Sequence, residues 1–308
     1  MKLLIDLADR AWLPDALIRL GIRRLDRMRL DDESKRYRET SGRVPAEFVT
    51  GMRRSPIALT TDKANRQHYE VPAAFFEQVL GKHMKYSSAL WNPGVSGLDQ
   101  AEADMLALTA QRAGLSDGMD VLELGCGWGS LTLWVAENHP HSRITAVSNS
   151  ASQRRFVESR CRDRGLKNVT VITADMNDFS IDRRFDRIVS VEMFEHMRNW
   201  EALLERIDGW LKPAGRVFIH IFTHRSYAYP FETQGDANLM GRYFFTGGMM
   251  PSDDLIFHFD RHLSVERHWR VHGSHYRKTA DAWLANMDAR RSAILPVLET
   301  VYVRRWAV

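Results

Sequence analysis

Two acidic residues and a histidine lie close together just after the apolar run Phe185–Val191. Glu192 follows the run directly, and Glu195 and His196 come three and four residues later. If the chain turns helical there, this spacing places the three side chains on one face. Crowded carboxylates raise one another's pKa, and a neighbouring carboxylate favours an imidazolium. The spacing indicates a candidate catalytic group that handles protons, and a capped helix start with an exposed histidine is the alternative.

A glycine-rich turn lies upstream of this group. The string ELGCGWG contains Gly125, Gly127 and Gly129 and follows the apolar residues Val121 and Leu122. Such a turn between a strand and a helix lets backbone amides approach a ligand where a Cβ atom would collide. The string has neither the G-x-G-x-x-G spacing of dinucleotide sites nor the Gly-Lys-Ser/Thr of a phosphate loop. Its spacing favours S-adenosylmethionine (SAM) over NAD or ATP.

Two polar positions follow other predicted strands. Asp175 comes after Val169–Thr173, where its carboxylate could accept a hydrogen bond from adenine or cap the next segment. Nucleotide-binding sheets often place an acid after the second strand for the ribose hydroxyls, but this chain has Asn149 there. We therefore expect Asn149 to serve the ribose.

The composition limits the class of protein. With 308 residues, 44% of them hydrophobic, the chain can form one large core with an added subdomain or two modest domains. Its two cysteines, Cys126 and Cys161, can build neither a disulfide framework nor a Cys-x-x-Cys metal site, so we expect no metal and a reducing, cytoplasmic location. Charges interrupt the apolar pattern of the N-terminus, which predicts no secretory signal and no membrane span.

Five arginines lie within eleven residues near the N-terminus, spread among leucine, isoleucine and methionine. This pattern is typical of a solvated basic helix face or of peripheral contact with an anionic membrane surface. The formal net charge of +4 does not favour nucleic acid as a partner. The five residues are Arg19, Arg23, Arg24, Arg27 and Arg29.

Strand-like and helix-like patterns alternate through the middle of the chain. Residues 1–85 predict a helical N-terminal region, and residues 86–223 predict a core of strands separated by helices. This alternation predicts an α/β fold with a mostly parallel, doubly wound sheet that binds ligands beyond the carboxyl ends of its strands. The predicted strands are 119–125, 143–148, 169–174, 185–191 and 215–222, and the predicted helices are 99–113, 129–138, 151–164 and 199–211.

The pattern changes again in residues 224–308. An aromatic-rich segment broken by glycine and proline predicts a cap over the sheet. From Leu263 to Val271 apolar and polar residues alternate, which predicts a sixth strand with one buried face. A helical pattern at 279–300 follows.

Several strings resemble the cyclopropane-fatty-acid-synthase superfamily of SAM-dependent methyltransferases. They are HYEVPAAFFEQVLG, KYSSALW, VLELGCGWGSL, AVSNSASQ, ADMNDF and SVEMFEHM. Later strings, including YFFTGGMMPSDDL and HWRVHGSHYRKTADAWLANMD, are similar to the coclaurine N-methyltransferase-like branch. The resemblance covers roughly residues 55 to 300.

This resemblance implies a class I, Rossmann-like methyltransferase fold with SAM across the carboxyl edge of the sheet and S-adenosylhomocysteine (SAH) as product. It implies that Glu195 and His196 serve an amine, with Glu192 nearby. The implied cofactor residues are Tyr86 and Ser87 over SAM, Gly125, Gly127 and Gly129 at its methionine end, Asn149 and Gln153 at its ribose, and Asp175 and Met176 at its adenine.

The sequence departs from the family at two places. Lipid-cyclopropanating members have a cysteine, which helps hold a bicarbonate base, where this chain has Ser88; the serine counts against cyclopropanation. Relatives also continue past the position of Trp306 with a further helix and a final strand. Without that strand we expect an exposed sheet edge, so that stability or dimerisation differs from the family.

The leading hypothesis is N-methylation of a small amine, with aromatic amines among the candidates. An amine with a pKa of about 10 is mostly protonated at neutral pH, so His196, oriented by a carboxylate, is expected to remove that proton. The alternatives are methyl or methylene transfer to unsaturated phospholipid acyl chains, and a non-catalytic SAM-binding protein. A homodimer stays open. Ring faces that could pack around the acceptor belong to Tyr69, Trp91, Tyr229, Phe231 and Phe245.

Overall fold

The computed structural model describes residues 13–59, 71–235 and 238–298. The described N-terminal residues contain four helices, and a proline precedes each of the first three, where the missing N–H costs no hydrogen bond. The fourth helix ends at Gly114 in the left-handed conformation, with φ of 62°. The helices are α1 (Asp15–Arg38), α2 (Ala46–Arg54), α3 (Ala73–Val79) and α4 (Leu98–Ala113).

Five parallel strands form the central sheet in the order β3-β2-β1-β4-β5. This order confirms the predicted parallel sheet, and each predicted strand of the core lies within a few residues of an observed one. The strands are β1 (Asp120–Leu124), β2 (Arg143–Ser148), β3 (Val169–Thr173), β4 (Phe185–Val191) and β5 (Leu211–His220).

Helices cover both faces of this sheet, because successive strand residues point to opposite sides. In β1, Val121 packs with α4 and with α5 (Ser130–Asn138), whereas Leu122 packs with α7 (Trp200–Trp210) on the other face. Helix α6 (Ala151–Asp163) packs beside α5, through Val157. The doubly wound arrangement is therefore confirmed.

The predicted sixth strand, 263–271, is wrong, since the structure gives this segment no ladder pairing within the described chain. Its apolar positions do not form a buried face, since Val265 and Trp269 are 41% and 39% exposed, and its contacts with β5 are made by side chains. Glu266 pairs with Arg216 at 3.1 Å, and Trp269 lies 6.4 Å from the Phe218 ring. The helix predicted at 279–300 begins earlier, as α9 (Ser274–Ala289), and continues into the short α10 (Arg291–Ile294).

The aromatic-rich segment forms a small cap joined to the N-terminal helices. It contains β6 (Tyr229–Pro230), α8 (Leu239–Tyr243) and β7 (Met249–Met250), and β6 pairs with β7 in antiparallel fashion. The Tyr37 hydroxyl of α1 accepts from the Ala228 amide at 2.6 Å and donates to its carbonyl at 3.1 Å. Within the described ranges, no helix combines the length and apolar character that crossing a bilayer needs.

Candidate active site

The three glycines of the turn after β1 have different surroundings. Gly125, Gly127 and Gly129 have φ of 82°, 52° and 80°, in the left-handed region that favours glycine. A Cβ added to Gly125 would lie 2.9 Å from Met193, and one added to Gly129 would lie 2.6 Å from Val157. A Cβ on Gly127 would meet nothing within 4 Å. The outer glycines therefore allow close packing, while the middle one borders open space.

Backbone and side-chain hydrogen bonds fix this turn. The amides of Gly125 and Cys126 donate to the Val147 carbonyl of β2 at 3.0 and 2.9 Å. Glu123 is buried on β1, and the Thr132 hydroxyl of α5 donates to its carboxylate. Burial raises the pKa of Glu123 to about 7. The turn is thus tied to both neighbouring elements.

Tyr86 lies in an aromatic cluster that reaches the glycine turn. Its ring centroid is 5.0 Å from Phe76 of α3 and 5.6 Å from Trp283 of α9, and Trp128 of the turn lies 5.0 Å from Phe76. The structure therefore brings Tyr86 and the glycine turn into one apolar cluster, as a shared cofactor site requires.

A buried lysine supports the loop on which Tyr86 lies. The ammonium of Lys85 donates to the hydroxyl of Ser87, and both residues are buried. Burial lowers the pKa of Lys85 to about 8, although the nearby Glu192, Glu102 and Glu123 oppose that shift. The loop hence carries an ammonium group inside an acidic cluster.

The candidate ribose and adenine residues follow β2 and β3, which are neighbours in the sheet. Gln153 is buried and its Oε1 accepts from the Ser148 hydroxyl at 2.7 Å. Asn149, the residue after Ser148, is half-buried. Asp175 Oδ1 accepts from the Asn177 amide at 2.8 Å, which is the capping alternative, and Met176 is buried.

Glu195 lies in a single 3-10 turn, Phe194–His196, after β4. Its side chain is fully buried, and its Oε1 accepts from the Phe222 amide at 2.8 Å. Its Oε2 has no hydrogen-bond partner among the residues that the structure describes. Burial, and secondarily the charge of Glu192, raise the pKa of Glu195 well above its ordinary value.

His196 stacks on the ring of Phe245 from the cap, with centroids 4.8 Å apart and an interplanar angle of 18°. Burial lowers the pKa of His196 to about 4. The sequence argument that a neighbouring carboxylate favours the imidazolium does not hold here, because desolvation dominates. The imidazole is neutral at physiological pH.

Glu192 does not share a helical face with Glu195 and His196, so that part of the prediction is wrong. It lies outside the 3-10 turn with φ of 50°. Its Oε1 accepts from the Ser88 amide at 2.9 Å, and its Oε2 accepts from the Tyr276 hydroxyl of α9 at 2.9 Å. Both oxygens are engaged by the protein, and burial raises its pKa.

The structure brings together three of the five candidate aromatic residues. Tyr229 and Phe231 have ring centroids 6.0 Å apart, and Phe231 lies 5.4 Å from Phe245. Trp91 is held by α9 instead, since its amide donates to His275 at 2.9 Å and its indole N–H to Thr279 at 3.0 Å. Tyr69 lies outside the described residues.

Sequence reasoning missed the residues that bind the two glutamates. The Phe222 contact uses a backbone amide, which no residue type reveals. Tyr276 lies within the string HWRVHGSHYRKTADAWLANMD that carried the resemblance, but its pairing with Glu192 depends on how α9 packs against residues 84 positions away. The resemblance was thus the one available signal for Tyr276.

The parallel sheet, the glycine turn after β1 and the acidic turn after β4 define a class I SAM-dependent methyltransferase. The open space at Gly127 fits this cofactor, because a side chain there would fill the gap that lets backbone approach it. When bound, SAM supplies a methyl group already activated by its sulfonium. The fold and the kind of enzyme expected from the sequence are both confirmed.

The chain belongs to the mycolic acid cyclopropane synthetase family, whose model matches residues 58–308. It is 38% identical over 252 residues to (S)-coclaurine N-methyltransferase of Thalictrum flavum subsp. glaucum, covering 81% of this chain and 70% of the relative. It is 32% identical over 223 residues to cyclopropane-fatty-acyl-phospholipid synthase of Escherichia coli K12, covering 71% and 54%.

A solved structure agrees with both the fold and the cofactor. The crystal structure of coclaurine N-methyltransferase bound to N-methylheliamine and SAH superposes with a TM-score of 0.93 and 32% identity, covering 98% of this chain and 90% of that chain. SAM is therefore the methyl donor.

Proposed function

We propose that this protein methylates the nitrogen of a small amine, with Glu195 as the group that accepts the amine's proton. The observation that carries the proposal is the Oε2 atom of Glu195, a buried acceptor with no partner among the described residues. Buried polar atoms are almost always hydrogen-bonded, so an unpartnered carboxylate oxygen at the carboxyl ends of the strands supports a ligand there. The ammonium of a bound amine would satisfy it.

The electrostatics suit this role. An amine with a pKa of about 10 must lose a proton before its lone pair can attack. The pKa of Glu195 is raised by burial, so its carboxylate takes a proton more readily than an ordinary glutamate does. We infer that the proton moves from the ammonium nitrogen to Oε2, while the Phe222 amide holds Oε1 in place.

His196 completes the proposed pair as a neutral imidazole. Its low pKa, about 4, keeps it uncharged at neutral pH, so it does not repel an ammonium. Its ring stacks on Phe245, which fixes the plane of the imidazole next to Glu195 in the chain. We assign His196 to orienting the amine beside Glu195.

The aromatic residues indicate the shape of the acceptor. The Phe222 amide donates to the carboxylate of Glu195, and the ring centroids of Phe222 and Phe245 are 5.5 Å apart. The carboxylate therefore lies next to the aromatic cluster. Ring faces attract an ammonium and stack on aromatic rings. Relatives are named as coclaurine, pavine and tetrahydroprotoberberine N-methyltransferases. We propose a cyclic amine fused to an aromatic ring as the acceptor.

The test is methyl transfer from labelled SAM to 1,2,3,4-tetrahydroisoquinoline, with the product analysed for an N-methyl group. We expect Glu195→Gln to lower kcat by about 10²- to 10⁴-fold, the range for loss of a general base, and to leave the SAH dissociation constant unchanged. Glu158→Gln, on the exposed face of α6, is the matched control. Label on carbon, or equal loss of SAH binding and rate, would remove the assignment.

A lipid acceptor is the second candidate, and one surface feature favours it. The outer face of α1 exposes Leu17, Leu20, Met28 and Leu30 among its arginines, a composition that binds anionic membranes. The proposal predicts sedimentation with phosphatidylglycerol vesicles that weakens as salt rises, and label in the acyl chains. If the protein neither sediments with the vesicles nor labels the acyl chains, the amine remains the proposed acceptor. SAH binding with no turnover on either acceptor would indicate a non-catalytic protein.

A further inference from the structure

Arg198 bridges the catalytic turn and the cap. It comes two residues after His196, and its Nη2 donates to the carbonyls of Gly247 and Gly248 at 3.1 and 3.3 Å. Its own amide donates to the Ile57 carbonyl at 2.6 Å, so its backbone is held by the segment after α2. The side chain therefore ties the cap to a fixed point of the N-terminal region.

The cap loop touches the catalytic turn through backbone atoms. Gly247 has φ of 81°, and the Gly248 amide donates to the Phe245 carbonyl at 3.0 Å. A Cβ on Gly248 would lie 3.0 Å from the Glu195 carbonyl oxygen. Any shift of this loop would thus carry Phe245 along with it.

Phe245 is the cap residue that faces the proposed base pair. Besides stacking on His196, it contacts Phe222 and Phe231. The position of its ring therefore decides how much room an acceptor has beside the imidazole.

We propose that Arg198 is a positioning residue that fixes Phe245 against His196 and thereby sets the width of the acceptor cleft. The inference rests on the proposed N-methylation. A guanidinium suits the task because the two N–H bonds of its planar Nη2 group have fixed directions towards the two carbonyls, whereas an ammonium is a point charge on a flexible stem. Arg198 keeps its charge despite partial burial, since arginine is not deprotonated in proteins.

The test compares Arg198→Met and Arg198→Lys with Arg53→Lys. Arg53 is the matched control because its Nη2 also donates to a carbonyl, that of His258 at 2.8 Å, but on the exposed surface. For Arg198→Met we expect kcat/KM on tetrahydroisoquinoline to fall by about 10- to 100-fold, the scale of a misplaced acceptor. The 1-benzyl derivative should lose less, because a looser cleft admits the wider amine. Arg198→Lys should fall between, and Arg53→Lys should match the wild type.

Two further readouts separate positioning from general damage. The SAH dissociation constant should stay within about twofold of the wild type, because the described hydrogen bonds of the Arg198 side chain go to cap carbonyls. Amide exchange at Gly248 should become faster in Arg198→Met. Equal losses on both amines, weakened SAH binding, or unchanged exchange would overturn the proposal. If the wild type methylates no amine, the proposed function fails, and the exchange measurement still decides whether Arg198 holds the cap.

Discussion

Glu192 and Glu195 are three residues apart, yet their surroundings separate their roles. Glu192 accepts hydrogen bonds on both oxygens, from Ser88 and Tyr276, so it joins the loop that contains Tyr86 and Ser88 to α9. Glu195 accepts on one oxygen from Phe222, and its other oxygen has no partner among the described residues, which supports the proposal that it meets the amine. The shared spacing in the sequence could not distinguish the two.

The glycine turn offers a prediction at the residue scale. A side chain on Gly127 meets open space, so Gly127→Ala costs about 1–2 kcal/mol of left-handed strain but leaves the packing intact. We expect a folded protein whose SAH affinity, measured by calorimetry, is lower than that of the wild type. Gly129→Ala should instead lower the melting temperature further, because its Cβ would clash with Val157 at 2.6 Å. If Gly127→Ala binds SAH as tightly as the wild type, Gly127 does not provide space for the cofactor.

How far the sequence specifies the site follows from these residues. The glycines were predictable because φ and close approach demand that residue type. The position of Glu195 at the carboxyl end of β4 was predictable because it follows that strand in the sequence. The low pKa of His196 was not, since it depends on burial under the cap residue Phe245 rather than on the acidic neighbours in the chain.

At the scale of elements, α9 supports residues 85–91, the loop on which Tyr86 lies. Thr279 Oγ1 accepts from the amide of Ala89 at 3.1 Å and from the indole N–H of Trp91 at 3.0 Å. His275 accepts from the Trp91 amide at 2.9 Å. Helix α9 thereby replaces the backbone partners that this loop would have in a regular element.

Thr279→Val tests this support. The substitution keeps the shape but leaves the Ala89 amide and the Trp91 indole without an acceptor, which should cost about 1–3 kcal/mol of unfolding free energy. Denaturant unfolding measures that loss. Thr40→Val, on the partly exposed turn after α1, is the control and should change stability little. Equal small effects for both variants would show that α9 does not hold the loop.

The predicted strand at 263–271 shows why element prediction failed beside the sheet. Apolar and polar residues alternate in the sequence, but Val265 and Trp269 are 41% and 39% exposed, so the apolar side is not a buried face. Ladder pairing also needs a neighbouring backbone in register, which an alternating sequence does not reveal. Most of the parallel strands were predictable because helical patterns separate them in the sequence, as α5 separates β1 from β2 and α6 separates β2 from β3.

At the scale of the molecule, the two edges of the sheet have opposite character. The carboxyl edge carries the turn in which one Glu195 oxygen has no partner within the described part of the chain, whereas ion pairs hold the amino edge. Asp120 of β1 accepts from Arg143 of β2 at 2.7 Å and from Lys212 of β5 at 2.7 Å, and Lys212 also reaches Asp186 of β4 at 2.7 Å. Ion pairs therefore stabilise the amino ends of the strands, while the proposed ligand site lies at their carboxyl ends.

This network gives the fold a defined sensitivity to acid. The Arg143 hydrogen bond, followed by Lys212, lowers the pKa of Asp120 from 3.8 to about 2. A depressed carboxyl pKa stabilises the folded state above the unfolded value, and that contribution disappears as the pH falls through the folded value. Asp120 therefore supports the fold above about pH 4 and loses that effect towards pH 2.

Asp120→Asn should lower the unfolding free energy by about 1–2 kcal/mol at pH 7, the modest value expected because its partners are solvent-exposed. The difference from the wild type should shrink as the pH approaches the folded pKa of Asp120. Asp281→Asn, which removes an exposed pair on α9, should have little effect at any pH. If the difference in unfolding free energy between Asp120→Asn and the wild type stays constant as the pH falls, the ion pairs of Asp120 do not stabilise the fold.

The claim that Glu195 takes the proton from the amine is tested most directly with acceptors of graded basicity. The ratio of kcat/KM between the wild type and Glu195→Gln would be measured at pH 7 on a series of secondary cyclic amines of similar size, whose pKa values fall on both sides of 7. We expect this ratio to be large for strongly basic amines and to approach one for amines that carry no proton at that pH, since these need no acceptor. A ratio that is the same across the series would contradict the claim.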